Sequence, residues 1–310
     1  MMKKLASMSI HLDPIDHYFN VRGWNPNANT KLNAIYDSAI PLFLDLLDKY
    51  NIKATFFVVG KDLKIQRNRK TVKLIKSKGH EIANHTMNHL QPFTSLSKNQ
   101  KQIEIENCDK IISDVTGSKV SGFCTPGWDI DIETINLLEN YGYVYDSSVF
   151  PSYYIPLLKS ISYLKDRRMG AKGFGKPIFI CIAPRRPYYP SEKAIWKKGK
   201  RKILEIPTCV LPIIRFPFWG TLNFIYGIRG FNLNFQLANL SRIPIVYVLH
   251  GLDLVDFYAH INDYRLKVKP GITLPLSEKI LIYDEVFKTF VKYYSLHPLI
   301  KLASRFSNKE

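Results

Sequence analysis

"KATFFVVGKDLKIQRNRKTVKLIKSKGHEIANHTMNH", Lys53 to His89, is the stretch whose reading decides the fold. Its first eight residues form a β-rich apolar run closed by Gly60, the composition of a strand buried on both faces. "NRKTVKLIKSKG" reads as a helix ended by Gly79. "HEIAN" reads as a second short strand. The same alternation extends in both directions. "SMSIHL" is a strand, and "DSAIPLFLDLLDKY" a helix with Ile40, Phe43, Leu44 and Leu47 on one face. From Ser97 to Thr116 the residues Ile105, Cys108, Ile112 and Val115 recur at helical spacing. "SGFCTPGW" fits a strand and turn, and "IETINLLENYG" a helix with Gly142 just past its end. "IPIVYVLHG" is a last buried strand before the closing helix "SEKILIYDEVFKTFVKYYS". A βαβαβα order implies a parallel sheet or barrel. Residues 151–207 break the pattern: rich in Pro, Tyr, Lys and Arg, they read as a long irregular excursion. "KPIFICIA" and "RKILEIP" are its short strand candidates. No repeat or domain boundary interrupts residues 1–310, which read as one domain.

Composition bounds the partners. Of 310 residues 46% are apolar, enough for a sizeable core, and 44 Lys+Arg stand against 26 Asp+Glu, a net charge of +18. Such a field attracts anions, whether nucleic acid, anionic lipid headgroups or phosphorylated sugars. A solvated basic surface is the simpler account. No nucleic-acid-binding signature accompanies the charge, so nucleic acid is not an expected partner. The opening residues lack the apolar run of a secretory signal, and no stretch approaches the ~20 apolar residues of a membrane span. Cys108, Cys124, Cys181 and Cys209 are widely spaced, as free thiols in a reducing compartment would be. The expectation is a cytoplasmic protein, with peripheral contact at the inner, anionic membrane face as a further option. The aromatic "IIRFPFWGTLNFIYGIRGF" would suit that contact, although core packing explains it more simply.

Polar residues cluster where strands end. His85 and His89 are four apart, a spacing that on a helical turn puts two imidazoles on one side. Neutral imidazoles suit Zn²⁺, Fe²⁺, Co²⁺ or Ni²⁺. "HLDPIDHYF" offers a carboxylate from another strand end. In an extended chain Ser9, His11 and Asp13 share one face, and Pro14 keeps Asp13 out of helical geometry. Asp16 lies beyond the proline, next to His17, in a loop of undetermined direction. His250 follows an apolar strand and precedes Gly251, at a rim. Asp146 in "YDSSVFP" is either a site acid or an Asx-turn residue.

In this order the motifs resemble the polysaccharide deacetylase family, the NodB-like carbohydrate esterases of family 4. The resemblance runs from about Met8 to Asp256. "KATFFVVG" with "GHEIANHTMNH" looks like the family's second strand and histidine motif. "GFCTPGW" is similar to its arginine–proline motif, "YGYVYDSSVFP" to the segment after it, and "VLHGLD" to its last motif. The implied fold is a distorted (β/α)₇ barrel, here with the long irregular insertion in its second half. The implied activity is hydrolysis of N-acetyl groups on amino sugars of a glycan or a lipid-linked glycan precursor. The resemblance implies one divalent metal, zinc foremost, with Co, Ni, Fe or Mn as alternatives, held by Asp13, His85 and His89. It implies His11 as the base, where the family has an acid, and His250 as the proton donor. Thr125, Pro126, Gly127, Trp128 and Asp146 would form the substrate and oxyanion region. A second register makes Asp13 the base and Asp16 the ligand. Cys124 stands where the family has arginine, and a thiol replaces neither its charge nor its donors. Two other readings therefore accompany the deacetylase: a non-catalytic glycan-binding or scaffold protein, and a hydrolase of formamides or cyclic amides.

Overall fold

The computed structural model describes residues 3–154 and 178–307. Eight strands form one sheet: β1 (Lys4–His11), β2 (Thr55–Val58), β3 (Glu81–Asn84), β4 (Gly122–Phe123), β5 (Tyr145–Asp146), β6 (Leu204–Glu205), β7 (Ile245–His250) and β8 (Tyr294–Leu296). Seven follow the order β6-β5-β4-β3-β2-β1-β7, and β8 pairs the first residues of β1. Every pair is parallel. The sheet is a curled half-barrel. β6 and β7 end the path, and a hydrogen bond from the Cys209 N–H to the Val246 carbonyl (3.1 Å) reaches across the gap.

The helices are α1 (Ile15–Asn20), α2 (Ile40–Lys49), α3 (Gln66–Ser77), α4 (Lys98–Thr116), α5 (Ile132–Asn140), α6 (Asn223–Asn239), α7 (Leu276–Tyr293) and α8 (Leu299–Ser307). Strand alternation sorts the core into two layers. Met8, Ile10, Phe56 and Val58 point outward and pack with apolar helix faces such as Phe43, Leu47, Val72 and Phe287. Phe57, Ala83, Cys124, Tyr145, Leu204 and Val248 point inward. Gly122 keeps that interior open, since a β-carbon there would lie 2.1 Å from the Tyr145 ring.

One end of the barrel is closed by the chain's own last helix. Leu299, Leu302 and Ala303 of α8 pack into the inner cluster. The first N–H groups of that helix, which have no partner within it, donate to Thr55 Oγ1 (2.8 Å, from Leu299) and Glu81 Oε2 (3.0 Å, from Ile300). Only the C-terminal strand ends are left open, which is where barrels of parallel strands carry their sites.

The expected strand at "KPIFICIA" does not form over its described part. Ile178–Ile182 is a 3₁₀ turn, and Lys176 and Pro177 lie outside the described residues. The Arg215 guanidinium takes the carbonyls of Cys181 (2.8 Å) and Ala183 (2.7 Å), leaving them unavailable to a ladder. The aromatic segment divides. Phe218 and Phe231 are core, whereas Ile213 is 90% exposed. Among the described residues no helix is long and apolar enough to cross a membrane.

Candidate active site

The site begins where β1 ends. Leu12 still donates to the Phe57 carbonyl, so the chain stays extended to Asp13, and Pro14 then turns it into α1. Tyr18, one turn along α1, donates to Asp13 Oδ2 at 3.1 Å. The other oxygen, Oδ1, lies 3.3 Å from His85 Nε2 and 3.3 Å from His89 Nε2.

The two histidines meet by a different route from the helical turn expected of their spacing. His85 follows β3, and the chain beyond it is a loop in which Thr86 (φ 65°) and His89 (φ 57°) are left-handed. Asn84 Oδ1 accepts from the Thr86 N–H, and Thr86 Oγ1 from the His89 N–H. Glu104 on α4 anchors the loop from outside, accepting from the Asn88 N–H and side-chain amide. These bonds offset the cost of two non-glycine left-handed residues.

The donor set fits a metal. His85 Nδ1 lies 2.7 Å from the Cys124 carbonyl. That contact makes Nδ1 the protonated nitrogen and leaves the Nε2 lone pair facing Asp13. Among the described residues Asp13 Oδ1 and both ring nitrogens of His89 are buried without a hydrogen-bond partner. Such atoms are costly unless something else occupies them. A tetrahedral ion with bonds of ~2.0–2.1 Å separates its ligand atoms by about 3.3–3.4 Å, matching both contacts. Burial holds the His89 imidazole below its usual pKa, in the neutral form that ligates. Burial opposes ionisation of Asp13, but the adjacent His89 and His85 outweigh it and hold the carboxyl well below its usual range. Asp16 is not part of this set. Its carboxylate is held by Lys61 at 2.8 Å.

Across the same cavity stand His11 and His250, register partners on β1 and β7, with ring centroids 5.5 Å apart. His11 is buried against Phe57 and His85 (4.9 Å each). Burial, then His85 and His250, push its pKa well below 6.5. His250 Nδ1 lies 3.3 Å from Thr221 Oγ1, and that hydroxyl donates to Asp253 Oδ1 at 2.9 Å. The other Asp253 oxygen accepts from the His250 N–H (2.8 Å) and the Tyr283 hydroxyl (2.7 Å). Asp253 is thereby fixed, and Thr221 links it to the imidazole.

The remaining expected residues separate. Gly127 and Trp128 line the cavity on a 3₁₀ turn with φ of 64° and 54°. Trp128 supplies an aromatic wall, stacked on Trp219 (5.1 Å) and steered by a bond from Nε1 to Thr208 Oγ1 (3.0 Å). Thr125 also lines the cavity, with Oγ1 buried and unpartnered, but its N–H is taken by Ser148 Oγ. Pro126 opens the turn and, like Asp146, does not line the cavity. Asp146 accepts from its own loop, from Ser148 Oγ (2.6 Å) and N–H (3.2 Å), which is the Asx-turn alternative. Sequence reasoning missed Tyr18, Thr221, Trp219 and Lys269. Asp253, three residues after His250, was within reach: that spacing is a capping-box signal.

This cavity, about 390 Å³, is thus lined by Asp13 and His85 of the trio, by the imidazoles of His11, His17 and His250, and by the stacked indoles. Residues 32–145 match the polysaccharide deacetylase family model. Over that span the chain is similar to the polysaccharide deacetylases. A peptidoglycan deacetylase of Helicobacter pylori is 31% identical over 180 residues, 56% of this chain and 60% of that one. A peptidoglycan-N-acetylglucosamine deacetylase of Bacillus cereus is 43% identical over 84 residues, 25% of this chain and 38% of that one. The chain therefore spans less than two thirds of either relative. A Mycobacterium smegmatis crystal structure assigned to the polysaccharide deacetylases superposes with a TM-score of 0.58. It covers 98% of this chain and 90% of that one at 14% identity, a likeness of fold. Cys124, where the resemblance predicts arginine, is buried and its thiol faces the Ser147 carbonyl at 3.3 Å.

Proposed function

We propose that this chain is a polysaccharide deacetylase family member, a metal-dependent amide hydrolase that removes N-acetyl groups from amino sugars of a glycan or glycan precursor. The observation that carries the reading is the meeting of Asp13 Oδ1, His85 Nε2 and His89 Nε2 at tetrahedral-edge spacing, with buried atoms lacking any other partner. These three would hold a divalent ion, zinc first by its preference for imidazole and carboxylate. When bound, the ion supplies Lewis-acid polarisation and a more acidic water.

The chain's own groups do the proton work. His11, kept neutral by burial, takes a proton from the attacking water. His250 gives one to the departing sugar nitrogen, which cannot leave as an amide anion. Thr221 and Asp253 hold the His250 Nδ1–H, so the ring presents Nε2 to the cavity. The indoles of Trp128 and Trp219 offer flat apolar faces against which a sugar ring can lie. The test is metal content and acetate release from N-acetylglucosamine oligomers and lipid-linked N-acetyl sugars, with His89→Ala as control. One bound ion with turnover lost in the control supports the reading. An ion bound with no release from any substrate favours a glycan-binding protein. Formate in place of acetate from a formamido sugar favours the formamide hydrolase.

A further inference from the structure

The cavity has a second end. Its wall opposite β3 is made by the residues after α1 and by the loop 268–272. There the Lys269 ammonium lies 4.3 Å from the centroid of the Tyr18 ring, the same tyrosine whose hydroxyl donates to Asp13. Arg22 donates to the Tyr18 carbonyl at 2.7 Å and is itself buried. Two cations therefore flank one tyrosine, one phenol ring away from the carboxylate–imidazole trio.

Lys269, which is half-buried, differs from the buried lysine of this wall. Lys279 gives its protons to the carbonyls of Val255 and Ile272 (3.0 Å each) and so pins the loop. Among the described residues no carboxylate lies within ion-pair distance of Lys269. The two acids on the cavity wall are engaged elsewhere: Asp13 by His85, His89 and Tyr18, Asp253 by Thr221, His250 and Tyr283. Burial, then the Arg22 charge, push the Lys269 pKa down to about 8. A half-buried ammonium beside a guanidinium, with no anion of its own among the described residues, is costly. An anionic oxygen entering the cavity relieves that cost.

We propose that Lys269, backed by Arg22, is a subsite for an anionic oxygen group, phosphate or carboxylate, carried by the sugar whose amide lies at the trio. This rests on the hydrolase reading. At about 390 Å³ the cavity is small for a ligand site, so both ends contact one small molecule. The substrate class narrows to amido sugars bearing a negative charge close to the amide: sugar phosphates and phosphodiesters, or sugars with a carboxylate ether.

Binding, not turnover, tests this. Calorimetry on the full chain compares N-acetylglucosamine, N-acetylglucosamine 1-phosphate and N-acetylmuramic acid. Each is measured with wild type, Lys269→Met and His89→Ala. The expected result is at least about a tenfold preference for one charged sugar over the neutral one, lost in Lys269→Met. The preference persists in His89→Ala, which shows that the anion is not simply a ligand of the bound ion. The larger of the two charged-sugar affinities identifies phosphate or carboxylate. Equal affinity for all three sugars in wild type overturns the proposal, as does a preference that survives Lys269→Met while that variant melts like wild type. Acetate release without charge preference would sink the subsite alone. Charge preference without acetate release would sink the hydrolase reading alone.

Discussion

Thr221 is the residue whose removal most directly probes how His250 works. Among the described residues the imidazole meets no carboxylate at hydrogen-bond distance; its Nδ1 reaches Asp253 through the threonine hydroxyl, over contacts of 3.3 Å and 2.9 Å. Thr221→Val keeps the side chain's shape and deletes the link. A hydrogen bond to an ionised group contributes ~1.5–3 kcal/mol. The 3.3 Å contact is long, so the lower end applies, about 1.5 kcal/mol. That bond holds the ring so that Nε2 faces the cavity, so on the proposed reading its loss falls on the reacting state. The expected loss is about tenfold in kcat, with KM and metal content unchanged. Thr221→Ser, which keeps the hydroxyl, should stay within about twofold of wild type. Steady-state acetate release with an added-metal control separates kcat from KM. Wild-type kcat in Thr221→Val, alongside a dead His250→Ala, would refute the relay. So would a loss confined to KM.

Three further outcomes follow from the same geometry. Asp13→Asn should abolish stoichiometric metal binding, whereas Asp16→Asn should retain it and lose only the ion pair with Lys61, worth ~0–1 kcal/mol at a half-exposed site; metal analysis of dialysed protein decides, and the reverse result would move the ligand to Asp16. His11→Ala should keep the metal and lose about 10²-fold or more in kcat; in wild type, the burial that depresses the His11 pKa places the acid limb of the rate profile below pH 6.5, and a limb above 6.5 would exclude His11 as the base. The same depression has a stability sign. Folded His11 and His89 bind fewer protons than the unfolded chain below pH 6.5. Metal-free protein should therefore lose up to ~1.4 kcal/mol per histidine for each pH unit below 6.5, read as a falling denaturation midpoint between pH 7 and 5; a midpoint flat across that window would show that the two rings are hydrated.

Much of the fold was legible because its signals are local. Buried parallel strands need continuous apolar runs, and Lys53–Gly60 and Ile245–His250 have them. Helix ends carry glycines, as at Gly79 and Gly142. The site was legible in part. Alternation along β1 brought His11 and Asp13 out on the same side, and the strand-end rule placed His250 opposite. What the sequence concealed depends on contacts distant along the chain. The left-handed path from Thr86 to His89 needs Glu104 on α4. Ile178–Ile182 turns because Arg215 reaches its carbonyls. Lys269 joins the cavity through a loop with no motif of its own, and Thr221 belongs to the site only because α6 starts beside β7.

Residue 124 shows in physical terms how this chain differs from the pattern of the family it resembles. The resemblance predicts a guanidinium at residue 124, facing the acid at 146. The structure instead has a thiol there and a second carboxyl group, Glu205, opposite Asp146 on the neighbouring strand. Both acids are buried. Burial, then the Asp146 charge and hydrogen bond, raise Glu205 well above the carboxylate range, and burial raises Asp146 to about 6. Glu205 thus keeps a proton and donates it to Asp146, so the pair carries one negative charge rather than two. Glu205→Gln tests this. The amide can still donate to Asp146 and accept from the Val149 N–H, which Glu205 holds at 3.0 Å, and it cannot ionise. A raised native pKa means stability that is lost as pH rises through it. Glu205→Gln should therefore match wild type near pH 5 and exceed it by about 1–2 kcal/mol at pH 8 in urea denaturation. A variant that is less stable at pH 8 would show that Glu205 is an anion with a partner elsewhere. While Glu205 keeps its proton, the strand ends of β5 and β6 hold one buried negative charge with no guanidinium at residue 124, whereas the cavity lining carries the cations Arg22 and Lys269.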